Sequence, residues 1–386
     1  MKLCMVAASL AGGGAERALL DTAALLTSRG HHVTVLTFES ESTDAYAVPD
    51  GVSRIVLGIP GQSGNRLRGL LNNLDRILSL RARVRQLQPD VVISHLTRTN
   101  IICLLALLGT GRALVVTEHN VATLKDAPMQ PLWRALRRVL YSRAAQVVVV
   151  SKGLAGQYAW LGADKLTAIY NFLPASRDSG GQSFDFLSPN TRYIVGMGRL
   201  ESEKGFDRLI RAFHLIEKDC PGWNLLIVGE GSLRTEVAGL AASLGLRHRV
   251  ALPGRVSNPR ALFRQCGIFV LSSESEGFGL VLVEAMSAGL PVISFDCDFG
   301  PREIIAQEAT GILVPAGDVG ALSRAIARLV ADGVLRRQLA RGALETLGRF
   351  APETILDQWE LLLRRVARRK TPRPEAHLPT QATERP

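Results

Sequence analysis

Three stretches of this sequence place glycines, cations and carboxylates at spacings suited to a phosphorylated ligand. The first is Ser272-Ser-Glu-Ser-Glu276-Gly277-Phe278-Gly279-Leu280-Val281, which runs into Glu284 on the same expected helix. A carboxylate accepts well from vicinal hydroxyls, so Glu276 and Glu284 suit a ligand with two diol-bearing rings. The backbone amides of Gly277 to Val281 would face an anion at the helix start. An acidic complement to a helix dipole accounts for the same residues without a ligand. The second is Gly198-Arg199-Leu-Glu-Ser-Glu-Lys204-Gly205, where an Arg fork and a Lys point charge span one turn and can converge on phosphates. Two solvated cations on a loop are the plain alternative. The third, Gly12-Gly13-Gly14, lets backbone approach an anion or a sugar ahead of a helix. It lacks G-x-G-x-x-G spacing and has no clear ribose-holding acid after it, so it reads poorly as a dinucleotide site. His119, in Thr117-Glu-His-Asn120, ends an apolar run; taken singly it is as well explained by packing. His31 and His32 have no such setting and read as structural.

The elements that must carry these residues alternate along the chain. Short apolar runs such as the one within Leu3 to Ala11, His32 to Phe38, Asp90 to Ser94, Ala113 to Thr117 and Gln146 to Val150 read as buried strands. Amphipathic stretches separate them, including Arg66 to Gln88 and Pro131 to Arg143. The alternation stops in the small, polar segment 175–190 and restarts at Tyr193 to Met197, Asn224 to Val228, Ile268 to Leu271 and Pro291 to Ser294. The expectation is an α/β chain of two Rossmann-like, doubly wound domains facing across a cleft. An acceptor-side domain would span 1–174, a linker 175–190 and a donor domain 191–351; a basic helix at 352–370 would close the chain and a disordered tail fill 371–386. In such sheets ligands bind beyond the carboxyl ends of the strands, where the three stretches fall.

Composition narrows the classes. The 386 residues carry 46 Lys plus Arg against 35 Asp plus Glu, a formal charge of +11, with 5% aromatics. That surplus suits nucleic acid, anionic membrane or anionic substrates. No aromatic-rich strand or zinc-finger spacing supports a nucleic-acid binder. Five scattered cysteines without C-x-x-C spacing fit a reducing compartment and no disulfide framework. No apolar run is long enough to span a bilayer. Arg66, Arg68, Arg76, Arg81, Arg83 and Arg85 crowd one helix. Trp133, Arg134, Arg137, Arg138 and Arg143 crowd another, and Arg364, Arg365, Arg368, Arg369 and Lys370 a third. They read either as solvated helix faces or as a peripheral footprint on anionic headgroups.

Taken together, the Glu276-x7-Glu284 pair, the Gly198-Arg199…Lys204-Gly205 turn, Val228-Gly-Glu-Gly231 and Gly289-Leu-Pro-Val292 resemble the GT-B glycosyltransferases of family 4. The resemblance covers nearly the whole chain, with Gly12 to Gly14 and His119 in the first half. It implies that Arg199 and Lys204 hold a donor diphosphate, Glu276 the transferred sugar and Glu284 the ribose. Gly13 and Gly14, together with Gly277, Phe278, Gly279, Leu280 and Val281, would line the sugar and phosphates. Gly198 would belong to the phosphate turn, Gly231, Gly254 and Arg255 would border the base, and His119 would approach the donor sugar. It further implies transfer with retention, no cofactor and no metal. The donor would be a nucleotide sugar, with UDP or GDP expected. Phe295-Asp-Cys-Asp-Phe-Gly-Pro-Arg-Glu303-Ile-Ile305 is similar to the version in bacterial enzymes that extend polyprenyl-diphosphate-linked glycans. A lipid-linked acceptor and a cytoplasmic, peripheral position at the inner membrane face follow as expectations, with Arg81, Arg85, Trp133, Arg134, Arg137 and Arg138 on that side. A lipopolysaccharide-core or glycolipid transferase is the alternative. A sugar-nucleotide epimerase, a phosphorylase and a basic nucleic-acid binder stand behind it.

Overall fold

The computed structural model describes residues 1–59, 66–119, 131–173 and 183–368. The expected linker therefore falls partly outside the described residues, as do Asn120, Arg369, Lys370 and the tail. The side chain of Arg66 also lies outside them.

The first sheet has seven parallel strands: β1 (Lys2–Ala7), β2 (His32–Thr37), β3 (Ser53–Val56), β4 (Val91–His95), β5 (Ala113–Glu118), β6 (Gln146–Val149) and β7 (Leu166–Ala168). Their order is β3-β2-β1-β4-β5-β6-β7, with the reversal between β1 and β4. Residues 2–7 pair with 32–37 on one side, and Leu3 to Val6 with Val91 to Ser94 on the other. Helices α1 (Gly14–Ser28), α2 (Arg66–Leu87), α3 (Thr97–Leu107), α4 (Pro131–Leu140) and α5 (Lys152–Ala155) make the crossovers. Strands covered on both faces are mostly apolar, and β4 and β5 are buried at every position, with their polar residues confined to the carboxyl ends. The run Ile101 to Leu107 has no polar face because α3 lies under its neighbours.

The second sheet has six strands in the order β10-β9-β8-β11-β13-β15. These are β8 (Arg192–Met197), β9 (Trp223–Val228), β10 (Val250–Gly254), β11 (Ile268–Leu271), β13 (Val292–Asp296) and β15 (Ile312–Pro315). Two short strands, β12 (Ser275–Glu276) and β14 (Asp298–Phe299), pair apart from it. Helices α6 (Phe206–His214), α7 (Arg234–Ser243), α8 (Pro259–Phe263), α9 (Leu280–Ser287), α10 (Pro301–Ile304), α11 (Val319–Ala331) and α12 (Gly333–Thr346) surround it. The strand at Ile312–Pro315 and the helices between 319 and 346 are not among the elements expected from the sequence pattern.

The last helix, α13 (Pro352–Arg368), returns to the first sheet. Its Ile355, Leu356, Trp359, Leu362 and Leu363 join Leu3, Met5 and Leu19 in one buried cluster. The Glu360 carboxylate lies 3.1 Å from His31 Nε2 and accepts from Arg364 at 3.2 Å. His31 is thus bound into the seam between α13 and the first sheet, as a structural residue would be.

Candidate functional site

The carboxyl edge of the second sheet gathers charges in pairs. Lys204 Nζ donates to Glu276 Oε1 at 2.7 Å, and Ser273 Oγ donates to the same oxygen at 2.7 Å. Arg199, beyond β8, is 61% exposed and bonds the i+4 carboxylate of Glu203 at 2.9 Å. The turn between them is compressed. Gly205 has φ 59°, and a Cβ there would sit 2.2 Å from Ser272 O, so only glycine lets the Lys204 loop lie against the Glu276 loop. Gly229 is at φ 139°, where a Cβ would strike Gly198 O at 1.8 Å; Gly231 meets Leu200 backbone in the same way. The Val228 to Gly231 turn therefore packs directly on the Arg199 turn. Glu230 pairs with Arg234 at 2.9 Å beside Gly254.

Gly279, at φ 90°, is the N-cap residue of α9, and Leu280 and Val281 form its first turn. The ring of Phe278 faces away from solvent, stacked on Tyr170 at 5.5 Å and edge-on to Phe350 at 5.5 Å. Only the backbone at this position is free to meet a ligand. Glu284 lies one turn into α9. Burial pushes its carboxyl up to about 7, against the opposing pull of Arg17 on α1. Arg17 also bonds Asp21 at 2.8 Å and lies 5.8 Å over the Tyr46 ring. The sequence reading does not single out Arg17; an Arg in the first turn of a helix after a glycine run is its only signal.

The first domain faces this edge with Gly12 to Gly14. Gly12 is at φ 105°, and a Cβ built on it would lie 3.7 Å from Arg255 Nη1, so the two domains approach closely here. A Cβ on Gly13 would lie 2.5 Å from Glu16 Oε2, which places the chain's own carboxylate over the start of α1. An anion entering there has to displace it.

His119 follows β5 and stacks on His95, which ends β4, with centroids 5.3 Å apart. His95 Nδ1 and His119 Nε2 are 3.1 Å apart, and Thr117 Oγ1 lies 3.3 Å from the same His119 nitrogen. Thr117 spends its proton on Ser94 O at 2.9 Å, so it can only accept. The network thus assigns the proton to His119 Nε2, with His95 Nδ1 accepting. His119 Nδ1 then remains an acceptor and His95 Nε2 a donor; both are buried and unpartnered among the described residues. Burial lowers His119 to about 4 and His95 well below its ordinary value, so both rings are neutral at pH 7.

Glu118, also unforeseen, is buried behind them. It accepts from Thr97 Oγ1 at 2.9 Å, from Asn100 Nδ2 at 3.2 Å and from the Tyr141 hydroxyl. Its burial raises it, and the three donors hold it down. This network anchors the strand end from which His119 projects.

The arginine-rich helices divide. Arg81 is a correction: its Nη1 caps the Ala106 and Leu108 carbonyls at 3.0 and 2.8 Å, because α2 packs along the end of α3. Arg76 is buried, 5.1 Å from the Phe38 ring centroid. Arg137 is half-buried over Tyr158 at 5.4 Å, and Trp133 packs on the main core, so neither is a free surface group. Arg85 and Arg134 remain exposed, and Arg138, exposed as well, lies 4.5 Å over the Trp160 ring. The surface also carries what composition hid: Leu70, Leu71, Leu74 and Leu78 on α2 are 50–66% exposed, and Leu132 and Val139 on α4 are exposed as well. Among the described residues no helix is long and apolar enough to cross a membrane. Nor do any three His, Cys, Asp or Glu among them form a metal-holding group.

Two family models match the chain almost end to end: glycosyltransferase family 4 over residues 12–177 and glycosyl transferases group 1 over residues 182–346. An exopolysaccharide phosphotransferase of Streptomyces coelicolor is 31% identical over 94% of this chain, which spans 40% of that protein's length. A Campylobacter jejuni protein that transfers α-1,4-N-acetylgalactosamine to an undecaprenyl-diphosphate-linked glycan is 27% identical, over 95% of this chain and 99% of its own. Anabaena HepE, solved with UDP-glucose, superposes with a TM-score of 0.78 at 22% identity, over 95% of this chain and 100% of its own. That likeness shows the GT-B fold.

Proposed function

Because the chain belongs to the family 4, group 1 glycosyltransferases of GT-B fold, we propose that it moves a hexose or N-acetylhexosamine, with retention and without a metal, from a UDP- or GDP-sugar to a polyprenyl-diphosphate-linked glycan in the synthesis of a bacterial capsule, O-antigen or exopolysaccharide. The observation that carries this reading is the Lys204–Glu276 pair at 2.7 Å beside the exposed Arg199, at the carboxyl edge of the sheet. A donor diphosphate would take over the two cations and release Glu276 to the hydroxyls of the sugar.

The chemistry then runs on one face of the sugar. The acceptor hydroxyl oxygen bonds to the anomeric carbon as that carbon's bond to the diphosphate oxygen breaks. The leaving diphosphate takes the hydroxyl proton. Arg199, Lys204 and the N-terminal amides of α9 stabilise the charge that develops on it. Glu276 and Glu284 hold hydroxyls in this scheme and are not a hydrolase-type nucleophile–acid pair. Neutral His119 would offer its bare Nδ1 to a sugar hydroxyl.

Relatives in Campylobacter and Streptomyces support the polysaccharide setting by their own activities. The reading of a lipid-linked acceptor, and of a peripheral membrane position at the cytoplasmic face, is supported by exposed Arg85, Arg134 and Arg138 on helices that also expose leucines. Thermal-shift screening of UDP-, GDP- and ADP-sugars, followed by transfer assays in excess chelator, tests the core of the proposal. Turnover of donor with no acceptor would favour an epimerase, and a strict requirement for a bound metal would overturn the metal-free scheme. Liposome flotation tests the membrane arm separately.

A further inference from the structure

Glu303 is one of the side chains on which the two domains meet. It belongs to α10 of the second domain, yet its three hydrogen-bond donors all come from the first. Lys152 N–H donates to Oε2 at 2.9 Å, Gly153 N–H to Oε1 at 2.6 Å and the Tyr170 hydroxyl to Oε2 at 2.9 Å. A carboxylate is the group that satisfies this set, since it accepts at both oxygens and donates at neither. Hydrogen bonds to an ionised acceptor are also the stronger kind.

The segment just before Glu303 lies on the donor loop. Ser275 and Glu276 pair in parallel register with Asp298 and Phe299. Phe299 is held at φ 80°, a left-handed conformation that is strained for any residue but glycine. Gly300 is pressed so closely on the loop that a Cβ there would lie 2.0 Å from Phe278 O. On its other side the segment touches the first domain, where a Cβ on Gly153 would come within 3.1 Å of Phe299 Cα. Tyr170 completes the arrangement by bonding Glu303 with its hydroxyl while its ring stacks on Phe278 at 5.5 Å.

We infer that Glu303 is a positioning residue for Glu276: through the strand pair Ser275–Glu276 and Asp298–Phe299, its grip on Lys152, Gly153 and Tyr170 sets the placement of the donor-sugar carboxylate according to where the first domain stands. The loop that meets the sugar is then in its working geometry only when both domains hold it. This rests on the reading of Glu276 as a donor-sugar contact. The grip itself is independent of that reading.

The test uses the full-length chain with Glu303→Gln and Tyr170→Phe. The amide introduced by Glu303→Gln would turn an NH2 toward one of the backbone N–H donors. Amide hydrogen exchange across 275–280 should speed up roughly tenfold in Glu303→Gln, with β8 and β9 unchanged. With a nucleotide sugar identified, UDP affinity measured by calorimetry should stay within about twofold while kcat falls roughly tenfold. Tyr170→Phe, which keeps the ring and removes one donor, should show smaller changes in the same sense, and it serves if Glu303→Gln fails to fold. Unchanged exchange at 275–280 in a folded variant would overturn the proposal. So would a kcat loss matched by an equal loss of UDP affinity. A wild-type protein that binds no nucleotide sugar would sink the transferase reading and leave the exchange result to judge the clamp.

Discussion

The two sheet edges that face each other across the cleft solve the problem of holding polar groups in opposite ways. On the second domain the groups are ionic, partly exposed and paired among themselves: Lys204 with Glu276, Arg199 with Glu203, Glu230 with Arg234. On the first domain they are neutral or buried: His95, His119 and Glu118 are held by Thr97, Asn100, Thr117 and Tyr141. Partly exposed ion pairs are weak and exchangeable, so an incoming diphosphate can replace a carboxylate at little cost. A buried hydrogen-bonded network is rigid and keeps its geometry. The contrast suits a cleft in which one wall binds a charged leaving group and the other presents a fixed, uncharged hydrogen-bonding surface.

The largest expected effect comes from breaking the ionic wall at its centre. Glu276→Ala should lower transfer by about 10²–10³-fold, the magnitude seen when one strong electrostatic contact to a reacting group is lost. Its thermal stability should change little, since the pair it breaks is only partly buried. A variant that transfers sugar normally would remove Glu276 from the site. Next, Lys204→Ala and Arg199→Ala should each weaken nucleoside-diphosphate binding by roughly tenfold or more in calorimetry, the Lys204 change more strongly, because Arg199 is the more exposed. Equal affinities would mean that the diphosphate lies elsewhere.

Glu284 sharpens the comparison, because it is the one carboxylate of the ionic wall that burial treats as the neutral wall is treated. Its folded-state value of about 7 lies above the ordinary carboxylate value, so the folded protein holds the extra proton between the two. Stability should therefore fall as pH rises from about 4.5 to 7 through this group. Glu284→Gln should be the more stable protein at pH 8, by something on the order of 1–3 kcal/mol, with the advantage fading toward pH 4.5. Nucleotide binding should strengthen from pH 6 to 8 in the wild type and lose that dependence in the variant. A flat wild-type profile would contradict the placement of Glu284 on the ligand.

The smallest effect belongs to the arginines. Arg81→Ala should lower stability by about 1–3 kcal/mol, since it uncaps the end of α3 without a replacement donor. It should leave liposome flotation unchanged. Arg85→Ala with Arg134→Ala should do the reverse, weakening flotation on anionic lipid and leaving the denaturation midpoint in place. If both variants behave alike, the division between buried and free arginines has no bearing on membrane contact.

Much of this was legible in one dimension. Glycines at positive φ, such as Gly205, Gly229 and Gly279, stand where the sequence puts turns between strand and helix, because no other residue tolerates those conformations cheaply. The carboxylates and cations after β8 and β11 were visible for the same reason. Ile312–Pro315 was not, since a short apolar run beside Gly311 gives no clear period, whereas Leu322, Ala325, Ile326 and Leu329 of α11 do keep a helical period that the expected elements left out. Glu118 carries no signal of its own in the sequence, because its three donors come from α3 and from the turn after α4.

The sequence by itself determined the alternation of strands and helices, the two-domain plan and the residue types at each strand end, since these depend on local period and backbone freedom. Tertiary structure alone decided which charges are spent. Arg76 and Arg81 are consumed by the fold while Arg85, on the same helix, is left in solvent, a difference set by the packing of α2 on α3. It also decided that Glu303 reaches 150 residues back along the chain to Gly153, because hydrogen bonding between domains depends on distances that no spacing in the sequence encodes.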